Sequence, residues 1–86
     1  MIFLYEVIFS KKAKKQLSKL EKDIRERIVS ALERIRIRPE AYVKKLVGDP
    51  GYRLRVGDYR IILDIQKDKL IILVIKIGHR KGIYKK

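Results

Sequence analysis

The chain has 86 residues, 47% of them hydrophobic, which suits one small domain spanning 1–86 with a thin core and leaves no room for a second. Lys and Arg number 23 against 10 Asp and Glu, a formal charge of +13, so the natural partner is a polyanion: nucleic acid, an anionic membrane surface or an acidic protein. The absence of cysteine excludes a disulfide framework and a thiolate zinc site.

The opening run MIFLYEVIF mixes β-branched and aromatic residues and predicts a strand over 2–9. It has no basic leading region, is interrupted by Glu6 and is too short to span a bilayer, so the default expectation is a cytoplasmic protein without a membrane segment. Ser10 offers a helix N-cap, and Ala13, Leu17 and Leu20 then recur at helical spacing, with Lys11, Lys12, Lys14, Lys15 and Lys19 on the remaining arc. Asp23 followed by Glu26 has the spacing of a capping box, and Ile24, Ile28, Leu32 and Ile35 continue an apolar stripe, which predicts a second helix. Pro39 disfavours helical geometry at Arg38, placing the end of that helix near residue 37.

Gly48, Pro50 and Gly51 break the pattern between 39 and 51, so that segment reads as an irregular connection. Three strands follow, over 52–56, 59–66 and 70–77, joined by the two-residue turn Gly57-Asp58 and a polar turn at 67–69. Gly at the first position of the shorter turn fits a type II′ hairpin. LIILVIKI, apolar nearly throughout, suits an interior strand covered on both faces. The order β-α-α-β-β-β predicts an α+β domain, with an N-terminal helical hairpin packed on one face of a small antiparallel sheet. The chain contains neither Asn nor Thr and is rich in Ile, Lys, Arg and Glu, a bias of heat-adapted proteins.

The stretch YRLRVGDYR carries the chemistry. Alternation sends Tyr52, Leu54 and Val56 to one face and Arg53 and Arg55 to the other. With a two-residue turn, Arg55 stands opposite Arg60, where paired Cβ atoms lie about 5 Å apart and like charges destabilise the sheet. Solvated arginines on a wet face are the bland explanation. Three on one hairpin, with Asp64 as the only nearby acid in register, fit a phosphate-binding pocket better, because the planar guanidinium fork binds phosphate oxygens in pairs. If the last strand lies beside 59–66, the tail KIGHRKGIYKK, with His79, Arg80, Lys81 and Tyr84, leaves the sheet next to that face. His79, the chain's one histidine, suits either a surface position or proton transfer, and Tyr84 suits either stacking on a base or covering the end of the domain.

YRLRVGDYRIILDI, an apolar strand and GHRKGIY together resemble the RelE family within the RelE/ParE toxin superfamily, and the resemblance extends over nearly the whole chain. It implies a small metal-independent ribonuclease without cofactor, a toxin of a type II toxin–antitoxin system. Such a toxin enters the ribosomal A site and cuts messenger RNA by attack of a 2′-hydroxyl on the adjacent phosphorus. By the same resemblance Arg55, Arg60, Arg80 and Tyr84 form the catalytic set, and Arg53, Lys45 and His79 contact substrate. Arg60 and Arg80 would stabilise the charge gathering on the phosphate oxygens, while Arg53 and Arg55 would position the backbone. The family pattern carries lysine, a proposed general base, where this chain has Arg55; a guanidinium cannot accept a proton at neutral pH, which leaves His79, Tyr84 or Lys45 for that role. The implied partners are the ribosome, mRNA and an acidic RelB-like antitoxin, in a heterodimer or heterotetramer. Two rivals share the composition: a ParE-like inhibitor of DNA gyrase, and a basic RNA- or ribosome-binding module that does not cut.

Overall fold

A computed structural model describes residues 4–79. β1 (Glu6–Phe9) leads through Ser10 into α1 (Lys11–Ser18), and α2 (Lys22–Arg34) follows. A short 3-10 helix (Pro39–Ala41) and the two-residue β2 (Lys44–Lys45) connect to the meander β3 (Tyr52–Val56), β4 (Tyr59–Gln66) and β5 (Ile71–His79). Five strands make one sheet in the order β1-β5-β4-β3-β2.

The α+β class and the element order agree with the sequence reading, with three differences of detail. The sheet is mixed, because β1 runs parallel to β5 from Glu6 opposite Ile71 to Phe9 opposite Val74. The two helices carry the chain across to the far edge so that β3 runs in the direction of β1, and the two antiparallel turns of the meander give β5 that same direction. The segment read as irregular contains β2, which hydrogen-bonds to β3 as an edge strand. The interior strand β5 is covered on one face only: Ile72, Val74 and Ile77 are buried beneath the helices, while Ile75 on the other face is 37% exposed.

Helical spacing places Ala13, Ile28 and Leu32 under the helices, and with Ile35 they meet Leu54, Ile61, Leu63, Ile65, Ile72, Val74 and Ile77 in one apolar core. No charged or polar residue is buried among the described residues. α1 packs across β5 and β1, and α2 across β3. The Ser10 hydroxyl caps α1 by accepting from the Ala13 N–H at 3.0 Å. α2 begins one residue before the anticipated capping box: its N-cap is Glu21, without a side-chain cap, and Asp23 stands in the first turn, where a carboxylate favours the positive end of the helix dipole. α2 ends at Arg34, and Arg38 takes the non-helical conformation that Pro39 demands.

A β-bulge shapes the far end of the meander. Ile62 pairs with Lys76 but Leu63 pairs with Val74, so Ile75 is the extra residue. The polar groups it frees are taken up by α1: Ser10 Oγ donates to the Ile75 carbonyl and Gln16 Oε1 accepts from the Ile77 N–H, both at 2.7 Å. The first helix is thereby fixed in register on β5.

Candidate nucleic-acid interface

The β3–β4 hairpin has the register its alternation implied, with Val56 opposite Tyr59, Arg55 opposite Arg60 and Arg53 opposite Ile62. Gly57 has φ +59 and Asp58 no positive φ, as a type II′ turn requires. Leu54 and Ile61 face the helices, so Arg53, Arg55 and Arg60 share the opposite, helix-free face. Arg55 Nε donates to the Gly57 carbonyl at 3.3 Å and Arg60 Nη1 to the Tyr59 carbonyl at 3.5 Å. These are backbone contacts that steer the guanidinium groups without neutralising them. Ion pairs join Glu33 to Arg36 at 3.0 Å and Glu40 to Lys67 at 2.6 Å, where Glu40 raises the Lys67 pKa.

Arg53, Arg55 and Arg60 line one small pocket of about 150 Å³ together with Tyr42 and Lys44. Lys44 comes to the pocket because β2 pairs antiparallel with β3 and sets it opposite Arg53. Lys45, the lysine expected there, lies opposite Tyr52 and reaches only the adjoining cleft. Neither Tyr42 nor Lys44 was singled out from sequence. The signal was faint: the two-residue strand that places Lys44 is too short to show periodicity.

His79 stands opposite Tyr59 on the helix side of the sheet, its ring edge-on to the Tyr59 ring at 5.5 Å. Gly78, its neighbour, takes the position opposite Arg60. The structure thus does not bring His79 into the arginine pocket. Arg80 and Tyr84 lie outside the described residues.

Beside the pocket runs a cleft of about 670 Å³, in which Ile62 and Ile75 form an apolar floor between Lys44, Arg53 and Lys76. Ile62 is only 5% exposed although no helix covers it. The stems of Arg53 and Lys76, its neighbours in register on both sides, shield it. Val47, at the rim, is 98% exposed. No group of three or more His, Asp or Glu side chains able to hold a cation occurs among the described residues. Nor is any described helix long and apolar enough to cross a membrane.

Three arginines and a lysine around one pocket on the open face of this sheet define a class of protein, a small basic domain whose chemistry suits an anionic ligand. Comparison with known proteins narrows the class. Residues 7–84 match the family model described as the ParE toxin of the type II toxin–antitoxin system parDE. The mRNA interferase toxin RelE of Escherichia coli K12 is 29% identical over 80 residues, 90% of this chain and 84% of the relative. Among solved structures, the toxin in the intact E. coli RelBE toxin–antitoxin complex superposes with a TM-score of 0.74 at 31% identity, covering 87% of this chain and 95% of that one. The RelBE2 toxin–antitoxin complex of Mycobacterium tuberculosis gives a TM-score of 0.84, covering 93% and 95%; at 23% identity this is a likeness of fold. The chain belongs to the RelE family within the RelE/ParE toxin superfamily of type II toxin–antitoxin systems.

Proposed function

We propose that this chain is an endoribonuclease toxin that cuts messenger RNA on the ribosome, with no metal or other cofactor, and is held inactive by an acidic antitoxin. The observation that carries the reading is the convergence of Arg53, Arg55 and Arg60 with Lys44 around one pocket on the open face. The names of its relatives, mRNA interferases and RelB–RelE complexes, support the same reading.

In the proposed reaction the 2′-oxygen attacks the adjacent phosphorus, the bond from phosphorus to the 5′-oxygen breaks, and the products are a 2′,3′-cyclic phosphate and a 5′-hydroxyl. The 2′-hydroxyl loses its proton and the departing 5′-oxygen gains one. Negative charge rises on the non-bridging oxygens in between, and cations set in place before the reaction lower its energy by several kcal/mol. Arg60 has that role here, and the family resemblance gives the same role to Arg80. Arg53, Arg55 and Lys44 hold the backbone in line. The pocket's described lining offers no carboxylate or imidazole, so its part is charge and positioning. Proton transfer falls to Tyr84, since His79 faces the other side of the sheet and Lys45 reaches only the adjoining cleft.

The antitoxin's place is the open face, where exposed Ile75 and Val47 adjoin the cations of the cleft. An acidic amphipathic segment matches both. Purified protein added to programmed ribosomes is expected to cut the message, and Arg60→Ala and Arg80→Ala to cut it at least a hundredfold more slowly while the thermal unfolding midpoint holds. Intact transcripts with inhibited DNA gyrase would instead support the ParE-type activity. Intact transcripts with tight RNA binding would support a module that does not cut.

A further inference from the structure

Four tyrosines lie among the described residues, and three serve the core: Tyr5 is 9% exposed within it, and Tyr52 and Tyr59 pack against it. Tyr42 is 52% exposed and belongs to no part of that cluster. Its backbone is nevertheless firmly set. Tyr42 closes the 3-10 helix by donating its N–H to the Pro39 carbonyl at 3.1 Å, and the Pro39 ring is fully buried. On its other side Val43 packs against the core, which sends Tyr42 and Lys44 outward together, and both line the arginine pocket.

An aromatic ring of this size left half in water contributes little to folding, and a pocket that recognised only an oxyanion would have no use for it. Arginine and lysine bind the backbone of any nucleotide. The flat face of a tyrosine adds an affinity for the base, insensitive to which base it is, because every base presents a π face. Resting on the reading of this pocket as an RNA site, we infer that Tyr42 is a substrate-binding residue that stacks on a base next to the phosphates held by Arg53, Arg55, Arg60 and Lys44.

The test uses the full chain, a fluorescent single-stranded RNA oligonucleotide for affinity and programmed ribosomes for cleavage. Tyr42→Ala is expected to weaken oligonucleotide binding about tenfold, the loss of one stacked base, and to raise KM for the message with kcat nearly unchanged. Tyr42→Phe keeps the face and should keep both values. Abasic sites along the oligonucleotide should bring wild-type affinity down to that of Tyr42→Ala while leaving the variant's affinity unaltered. Wild-type cleavage with equal KM for the Ala variant overturns the inference and leaves the ribonuclease reading standing. A Phe variant as impaired as Ala overturns it too, since the hydroxyl rather than the ring would then matter. A wild-type protein that neither binds nor cuts RNA overturns both.

Discussion

Arg55 and Arg60 face one another as a cross-strand pair on β3 and β4, two like charges one residue pair from the turn of the hairpin. Folding alone does not favour this pair, since the same register with opposite charges would hold the strands more firmly. Arg60→Glu, which turns repulsion into an ion pair, is therefore expected to stabilise the domain by about 0.5 kcal/mol while abolishing RNA cleavage. Urea denaturation at low and high salt checks the first half. Added salt should stabilise the wild type and narrow the gap to the variant, because screening relieves the repulsion.

RNA affinity should depend steeply on salt. With Lys44, Arg53, Arg55 and Arg60 each meeting a phosphate, the logarithm of the binding constant for a single strand should fall with the logarithm of salt concentration with a slope of about −3. Arg53→Ala should reduce that slope by about 0.7. A slope unchanged by any of the four Ala variants would mean that the pocket does not hold the backbone.

Gln16 and Ser10 should matter more than their surface positions suggest. Gln16→Leu removes the acceptor for the Ile77 N–H beside the bulge and should cost about 1–3 kcal/mol. Ser10→Ala loses the cap of α1 and the bond to the Ile75 carbonyl together, for about 1–2 kcal/mol. Equilibrium unfolding with an unchanged denaturant slope is the measurement. Faster hydrogen exchange confined to β5 would locate the loss at the bulge.

Gly57→Ala should destabilise the hairpin by about 1–2 kcal/mol, because an L residue resists φ +59. Activity should fall further than stability, since the turn sets the angle between Arg55 and Arg60. Gly51→Ala should be similarly costly, its Cβ meeting the Leu63 carbonyl at 3.2 Å. A thermal midpoint equal to wild type for both variants would contradict this account of the turns.

The meander strands β3 and β4, the Gly57 turn and the pairing of Arg55 with Arg60 were legible in the residues because each rests on local rules. Side chains alternate along a strand, and a two-residue turn fixes which residues oppose. The helical stripes that ended in the core were legible for the same reason. Only the tertiary structure decided that β1 lies parallel beside β5, that Lys44 rather than Lys45 joins the arginines, that Tyr42 stands with them and that His79 does not. Those outcomes depend on which strands become neighbours, and on a bulge whose polar groups a helix elsewhere in the chain satisfies. Contacts between residues far apart in sequence form only when the shared core brings them together, and no local pattern carries that information.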